Sequence, residues 1–149
     1  MTIPRVHIAH LPTRIEALEH ISAFLKGPRI YCKRDDQTGL GFGGNKTRKL
    51  EFLLAEARQA GAQTLLSVGA IQSNHCRQTA AMAARFGFDC ILILSGSEPE
   101  IASGNLFLDK LFGAEIIWAA RETRDRVLDE VFADALAKGR KPYKIPYGG

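Results

Sequence analysis

The chain has few cysteines, and none of them is placed for a disulfide framework or a zinc site. Cys32, Cys76 and Cys90 are odd in number, widely separated and in no C-x-x-C pair. Free thiols of this kind are typical of a reducing compartment, so the sequence predicts a cytoplasmic protein. The histidines show no partner spacing typical of metal ligands, and no metal is expected.

The chain also lacks a targeting segment and a long hydrophobic run. Residues 1–5 have no apolar signal-peptide core, and no stretch is long enough to span a membrane. The net charge of +4 is mild and forms no basic face interleaved with aromatic residues, which argues against nucleic acid as a partner. The 149 residues, 46% hydrophobic and 24% charged, are enough for a globular core. A small anionic molecule is the more natural partner for the local excess of positive charge.

The most distinctive stretch is residues 39–50, which place Lys46 after a glycine-rich bend and at the start of an amphipathic helix. Glycines let the backbone turn tightly and approach a ligand closely, and a helix start offers free N–H groups. Arg48 and Lys49 add positive charge that should disfavour the protonated form of Lys46. A lysine that is partly neutral can act as a nucleophile or form a Schiff base.

Three kinds of ligand site compete for this loop. A nucleotide P-loop requires a glycine directly before the lysine, but Asn45 separates Gly44 from Lys46. The dinucleotide pattern G-x-G-x-x-G is present, but the next strand ends at residues 67–70 without the acidic residue that this pattern requires. A cofactor-binding lysine explains the Gly-Asn-Lys order best once the next motif is included. A flexible loop with a solvated cationic cluster is the structural alternative.

A second polar motif, Ser73-Asn74-His75, leads from a predicted strand into a predicted helix. Ligands of open α/β sheets gather at the carboxyl ends of strands, where such loops lie. The side-chain oxygens of Ser73 and Asn74 are placed to meet a ligand carboxylate or ring substituent. Alternatively, one of them caps the following helix, which such residues do routinely. His75 is either a catalytic base or a structural histidine, and Cys76 is expected to pack in the core.

Apolar periodicity and glycine stops predict alternating strands and helices over most of the chain. This alternation indicates a parallel sheet with helices on both faces. The first 28 residues are predicted to be irregular around a short helical piece at 16–25. The predicted strands are 29–33, 64–68, 90–94, 115–118 and 143–145, and the predicted helices are 47–60, 74–86, 105–112 and 122–138.

Two long motifs give the chain a specific resemblance to a known family. Residues 33–36 read Lys-Arg-Asp-Asp, residues 43–53 read Gly-Gly-Asn-Lys-Thr-Arg-Lys-Leu-Glu-Phe-Leu, and residues 71–80 read Ile-Gln-Ser-Asn-His-Cys-Arg-Gln-Thr-Ala. Residues 141–149 contain a further Lys-Pro-Tyr-x-Ile-Pro-x-Gly-Gly segment. With these motifs the chain resembles the D-cysteine desulfhydrase and 1-aminocyclopropane-1-carboxylate deaminase family, pyridoxal-phosphate enzymes of fold type II, over essentially its whole length.

The resemblance implies roles for individual residues. Lys46 is expected to bind pyridoxal 5′-phosphate covalently and to move a proton at the substrate's α or β carbon. Asn74 matches the asparagine that contacts the cofactor ring hydroxyl, and Asn45 is also expected to bind the cofactor. Ser73 matches a serine near the substrate carboxylate that is proposed as nucleophile or acid/base helper, so the resemblance makes it both catalytic and substrate-binding. His75 is expected to contact substrate with Ser73 and Asn74, and it favours the desulfhydrase branch because the cyclopropane deaminases carry glutamine there.

The implied reaction is a β-elimination from D-cysteine, or a related β-substituted amino acid, to pyruvate, ammonia and sulfide. A 1-aminocyclopropane-1-carboxylate deaminase and an L-cysteate sulfo-lyase share much of the pattern, so both activities stay open. A truncated α/β module without catalytic activity stays open as well. For the full-length form the resemblance implies a homodimer.

Members of the family run roughly twice the length of this chain, which is therefore expected to be a fragment truncated after residue 149. The resemblance implies a three-layer parallel-sheet fold of the tryptophan-synthase-β type. Residues 1–48 are expected to form the N-terminal part of a large cofactor domain that includes the lysine loop. Residues 49–149 are expected to form a small α/β domain, with the glycine-rich phosphate-binding loop in the missing half.

Overall fold

Strands and helices alternate along most of the chain, as the apolar periodicity predicts. The computed structural model describes residues 3–147, so the two terminal glycines of the 141–149 segment lie outside the described residues. No helix in the described part of the chain has the length and apolar character needed to cross a lipid bilayer. The strands are β1 (Ile15–Ala17), β2 (Tyr31–Lys33), β3 (Thr64–Ala70), β4 (Asp89–Ser95), β5 (Glu115–Ala119) and β6 (Pro142–Lys144), and the helices are α1 (Glu19–Leu25), α2 (Lys46–Gln59), α3 (Asn74–Phe86), α4 (Gly104–Leu111) and α5 (Arg124–Ala137).

The N-terminal segment contains a small antiparallel pair of strands. β1 pairs with β2, with Ile15 opposite Lys33 and Ala17 opposite Tyr31. The prediction of irregular backbone was therefore wrong at β1, and the helical piece begins later than predicted, at Glu19. A strand of three residues is too short to show alternation in the sequence, and only its pairing with β2 reveals it.

The main sheet has four parallel strands in the order β5-β4-β3-β6. The central strands β3 and β4 pair from Thr64 opposite Asp89 to Ala70 opposite Ser95. Parallel strands at the centre of a sheet are covered on both faces, which explains why β3 is buried from Thr64 to Gly69. Because parallel strands end at the same edge, β3 delivers the second motif to the carboxyl edge of the sheet.

Helices cover both faces of this sheet and produce three layers. Successive side chains of a strand point to opposite faces, so β3 and β4 divide their apolar residues between two clusters. The predicted three-layer α/β architecture with a parallel sheet is confirmed. One cluster joins Leu65, Leu92 and Leu94 to Leu50 and Leu54 of α2, Ala80 and Met82 of α3 and Leu106 of α4, and the other joins Leu66, Val68, Ile91 and Ile93 to Val127, Leu128 and Val131 of α5.

A buried carboxylate on α2 ties the N-terminal segment to the helix that carries Lys46. Glu51 accepts hydrogen bonds from the backbone N–H groups of Ile8 (2.7 Å) and Ala9 (2.8 Å) and from Arg5 Nε (2.6 Å). Burial by itself would raise the pKa of Glu51, but these donors hold the pKa below its ordinary value. The carboxylate is therefore ionised and paired, and it fixes the first turns of α2 against residues 5–9.

A second buried carboxyl group, Asp109 on α4, is not paired in this way. Its side chain is fully buried, and neither of its oxygens has a hydrogen-bond partner within residues 3–147. Burial raises the pKa of Asp109 to about 7, and the nearby positive charge of Arg77 opposes this shift. The carboxyl group is therefore protonated in a large fraction of molecules at neutral pH.

Asp109→Asn is expected to stabilise the chain in mild alkali. The pKa of Asp109 is about 7 in the folded state against 3.8 for an ordinary, solvated aspartate, so its contribution to stability is full in acid and is lost as the pH rises through 7. The asparagine amide does not ionise, so it does not lose stability in this way. The free energy of unfolding of the variant should therefore exceed that of the parent by on the order of 2 kcal/mol at about pH 8, with little difference at about pH 4.

Urea unfolding across this pH range measures the difference in the free energy of unfolding. Asp125→Asn is the matched control, because the Asp125 side chain is 80% exposed and its charge is solvated in both states. A gain for Asp109→Asn that does not change with pH would contradict the raised pKa.

Candidate active site

The glycine loop brings Lys46 to the first position of α2. Lys46 is half-buried, and its Nζ donates a hydrogen bond to Oδ1 of the exposed Asn45 over 3.3 Å. Gly43 and Gly44 have positive φ angles of 74° and 128°. A Cβ at Gly44 would collide with Gln78 Nε2, and one at Gly43 would collide with the backbone of residue 36, so both positions need glycine.

The same loop is held against α3 by its backbone carbonyl at Gly43. Gly43 O accepts hydrogen bonds from Arg77 Nη2 (2.7 Å) and from Gln78 Nε2. The amide oxygen of Gln78 accepts a hydrogen bond from Thr47 Oγ1 of α2 over 2.9 Å. These contacts lock the lysine loop and the start of α2 onto the helix that follows the second motif, so the structure brings the two motifs together.

Ser73 caps the N-terminus of α3, since its Oγ accepts a hydrogen bond from the backbone N–H of Cys76 over 3.2 Å. The capping interpretation is therefore correct, and the cap does not use the hydroxyl proton of Ser73. A Cβ at Gly69 would lie 2.8 Å from Ser73 Oγ and 2.6 Å from Cys76 Sγ, so the absence of a side chain at Gly69 makes this cap possible. Cys76 is fully buried in the core, as predicted.

Asn74 follows the cap and is exposed at the carboxyl edge of the sheet. Its Oδ1 accepts a hydrogen bond from Asn105 Nδ2 over 3.0 Å, and Asn105 is the second residue of α4. Sequence reasoning missed Asn105 and Arg77 as members of this site. Arg77 lies within the 71–80 motif but was given no role, whereas Asn105 carries no local signal, because the fold alone brings it to the motif.

His75 follows the Ser73-Asn74 pair in the chain and is buried. Burial and the positive charge of Lys49 lower the pKa of His75 to about 4, against a hydrogen bond with the Pro146 carbonyl that favours protonation. The imidazole is therefore neutral at pH 7, and Nε2–H donates to Pro146 O over 3.1 Å. Nδ1 is then an acceptor, and it is buried without a partner in the described residues.

The charges around Lys46 differ from the simple cluster that the sequence suggests. Arg48 turns away to Asp35, with Nε 2.8 Å from Oδ2 and Nη2 2.7 Å from Oδ1. Hydrogen bonds from Arg48 lower the pKa of Asp35 to about 2, so this pair is fully charged. Lys49 is the cation coupled to Lys46, because burial and the charge of Lys46 both lower the pKa of Lys49.

Two grooves in the described part of the chain lie away from the predicted site residues. A groove of about 410 Å³ lies in the N-terminal segment between β1, α1 and β2, and none of the predicted site residues line it. Within residues 3–147, no three side chains among His, Cys, Asp and Glu are grouped to hold a metal ion. The carboxyl edge of β3, where the two motifs meet, is the candidate active site.

Gly44→Ala is expected to destabilise the chain and loosen the lysine loop, because the new Cβ must displace Gln78 and the backbone at φ 128° disfavours alanine. Gly61→Ala is the matched control, since Gly61 also has a positive φ of 66° but nothing within 4 Å of the added Cβ. We expect the free energy of unfolding to fall by about 2 kcal/mol more for Gly44→Ala than for the control. Equal losses in urea unfolding would contradict the close packing between the loop and α3.

Comparison with known proteins places the chain in a family. The family model described as "Pyridoxal-phosphate dependent enzyme" matches residues 6–149. A D-cysteine desulfhydrase of Klebsiella pneumoniae (strain 342) is 45% identical over 98% of this chain and 46% of its own length. One of Salmonella paratyphi B is 44% identical over the same shares. The chain thus spans about half the length of the curated relatives it matches.

A solved structure agrees with these sequences. The fold matches a crystal structure described as that of an ACC deaminase homologue with a TM-score of 0.89 and 42% identity, covering 99% of this chain and 45% of that one. The family cofactor is pyridoxal phosphate, and the α/β architecture predicted for fold type II is confirmed. The chain belongs to the pyridoxal-phosphate dependent enzyme family.

Proposed function

We propose that the full-length protein is a pyridoxal-phosphate-dependent lyase that converts D-cysteine and water into pyruvate, ammonia and hydrogen sulfide. The observation that carries the proposal is the pair of hydrogen bonds from Arg77 and Gln78 to Gly43 O, because it docks the lysine loop beside the Ser73-Asn74 pair. The similarity to two D-cysteine desulfhydrases, at 45% and 44% identity, supports this choice of substrate.

The donor set of the site fits the aldehyde and ring oxygen of the cofactor. Lys46 supplies a half-exposed primary amine at a helix start, which is the group that an aldehyde needs. Asn74 supplies an exposed side-chain amide for the ring oxygen, and Asn45 holds Lys46 Nζ through its Oδ1. When bound, pyridoxal phosphate supplies the electron sink for charge that develops at the substrate's α carbon.

The residues of the chain then divide the remaining work. Lys46 Nζ takes the proton from the α carbon and holds it within the site, which makes it the general base. The Ser73 hydroxyl and the N-terminal N–H groups of α3 bind the substrate carboxylate, because a helix N-terminus favours an anion. His75 stays a predicted substrate contact, and its Nδ1, which is buried and has no hydrogen-bond partner within residues 3–147, keeps a free acceptor.

Other activities of the same family are the second candidates. The structural neighbour described as an ACC deaminase homologue favours ring opening of 1-aminocyclopropane-1-carboxylate to a four-carbon 2-oxo acid and ammonia. An L-cysteate sulfo-lyase would release sulfite instead of sulfide. A truncated module without catalytic activity is the remaining candidate. D-cysteine is preferred because His75 follows the Ser-Asn pair, where the resemblance places glutamine in the cyclopropane deaminases.

The domain division and the cellular setting are part of the same proposal. We propose that residues 1–48 belong to a large cofactor domain and residues 49–149 to a small α/β domain. The free thiols of Cys32, Cys76 and Cys90 support a cytoplasmic location. The proposed homodimer of the full-length form rests on the resemblance alone, and light scattering of that form tests it.

Lys46→Ala is expected to abolish sulfide release from D-cysteine, because the variant has neither the amine that binds the cofactor nor the base. The assay compares the 149-residue chain with a fusion that continues it with the second half of the Klebsiella relative. D-Cysteine, 1-aminocyclopropane-1-carboxylate and L-cysteate are each supplied with pyridoxal phosphate, and sulfide, 2-oxo acids and sulfite are measured. Lys138→Ala is the control, since the Lys138 side chain is 63% exposed and pairs with Asp134 on α5.

The product identifies the activity. Sulfide from D-cysteine that disappears with Lys46→Ala supports the proposal, and a four-carbon 2-oxo acid or sulfite as the main product would replace it with one of the other two reactions. If neither the chain nor the fusion forms product from any of the three substrates, a truncated module without catalytic activity is the better explanation.

A further inference from the structure

Three polar side chains form a continuous hydrogen-bonded path from the lysine loop to Asn74. Arg77 Nη2 donates to Gly43 O, and Arg77 Nη1 donates to Asn105 Oδ1 over 3.3 Å. Asn105 Nδ2 donates to Asn74 Oδ1 over 3.0 Å and to the backbone carbonyl of Gln72 over 2.8 Å. The path therefore links α3, α4 and the loop that carries the Ser-Asn pair.

The chemistry of the end groups fixes the direction of this path. A guanidinium group has only donors, so the side of the Asn105 amide that faces Arg77 must be its oxygen. A backbone carbonyl has only acceptors, so the side that faces Gln72 must be the NH₂ group. Both partners require the same orientation of Asn105, and Asn74 must then present its oxygen to Asn105 Nδ2.

The backbone around Asn105 is held in place independently of its side chain. The backbone N–H of Asn105 donates to Gln72 Oε1 over 2.8 Å, and Gln72 Nε2 donates to Ser103 O over 3.1 Å. Gly104 has a positive φ of 56°, and a Cβ there would lie 2.6 Å from Gln72 Oε1. The start of α4 is thus clamped onto the loop before Asn74, and Asn105 has a defined position from which to act.

The orientation of Asn105 decides which atom Asn74 offers to a ligand. Since the oxygen and nitrogen of an amide lie on opposite sides of its carbon, an Asn74 oxygen directed at Asn105 leaves Nδ2 directed away from it. Asn74 is exposed, so this NH₂ group is accessible to a ligand at the carboxyl edge of the sheet. A hydrogen bond from an NH₂ group to an anionic oxygen is roughly twice as strong as one between neutral groups, whereas an amide oxygen would repel the same anion.

We propose that Asn105 is a positioning residue that orients the Asn74 amide so that its NH₂ group donates to the ring oxygen of pyridoxal phosphate. The inference rests on the cofactor role proposed for Asn74 and extends it to a residue of α4 that acts through Asn74. Arg77 sets the orientation of Asn105, and the same guanidinium holds the lysine loop at Gly43.

Asn105→Asp tests the orientation in the chain without cofactor. Aspartate still accepts from Arg77 but cannot donate, so its second oxygen should draw the Asn74 NH₂ group toward it and reverse the Asn74 amide. The readout is the exchange rate of side-chain amide protons with water, measured by NMR. In the parent chain, the Asn105 NH₂ protons should exchange more slowly than those of Asn74, and in Asn105→Asp the Asn74 protons should slow several-fold.

Lys110→Ala is the matched control on α4, because Lys110 is a surface residue that pairs with the exposed Glu98. It should leave both pairs of amide protons unchanged. Asn74 protons that are already protected in the parent, or that do not slow in Asn105→Asp, would overturn the proposed orientation. This arm needs no bound cofactor and does not depend on the proposed function.

A titration with pyridoxal phosphate, followed by visible absorption, then separates the two proposals. Asn105→Asp should weaken cofactor binding by about tenfold or more, equivalent to about 1.4 kcal/mol, and Asn74→Ala should do the same. If Asn74→Ala leaves the affinity unchanged, the cofactor role of Asn74 is wrong. If Asn74→Ala weakens binding and Asn105→Asp does not, the role of Asn105 is wrong.

A second variant covers the case in which Asn105→Asp does not fold. Asn74→Asp keeps an acceptor for Asn105 Nδ2 but presents an oxygen where the parent presents an NH₂ group. Its Asn105 protons should stay protected while the affinity for pyridoxal phosphate falls by at least about tenfold. An unchanged affinity in Asn74→Asp would overturn the inference, because it would mean that no donor is needed from position 74.

Discussion

The candidate site depends on the backbone carbonyl of Gly43, which accepts hydrogen bonds from both Arg77 and Gln78. The lysine loop and the Ser73-Asn74-His75 motif lie on different elements. The Gly43 carbonyl attaches the lysine loop to α3, the helix that begins in this motif. Glycine is required at 43, where a Cβ would collide with the backbone of residue 36, and at 44, where a Cβ would collide with Gln78 Nε2. The position of Lys46 relative to Ser73 and Asn74 therefore follows from backbone geometry as much as from side-chain chemistry.

Burial and pairing, rather than the number of basic residues, determine which side chains of the site are charged. Arg48 is neutralised by Asp35, whereas burial, together with the charges of Lys49 and Lys46, lowers the pKa of His75 and keeps its imidazole neutral. Arg77 is partly buried, its charge acts on Asp109, whose carboxyl group has no hydrogen-bond partner within residues 3–147, and its guanidinium donates to the Gly43 carbonyl. The donors that remain near the carboxyl edge of the sheet suit an anionic ligand with an aldehyde and a ring oxygen, which agrees with the cofactor of the family.

Much of the fold could be predicted because local patterns determine it. The helix α3 begins after the serine cap and is closed by Gly87, and the apolar strands β3 and β4 lie at the predicted positions, each two residues longer than predicted. The strand β1 could not be predicted, because three residues become a strand only by pairing with β2. The site residues in the two motifs remain predictions that the geometry accommodates, whereas Asn105 comes about thirty residues later in the chain and joins Asn74 only through the packing of α4 on α3.

The central claim is that Lys46, held at the start of α2 by the docked loop, is the residue that binds pyridoxal phosphate. The most direct measurement is to add the cofactor, reduce the protein with borohydride and locate the modified lysine by peptide mapping. The account predicts a visible band that is lost in Lys46→Ala and a reduced adduct on Lys46 rather than on neighbouring Lys49. An adduct on Lys49, or adducts spread over many lysines and unchanged by Lys46→Ala, would contradict it.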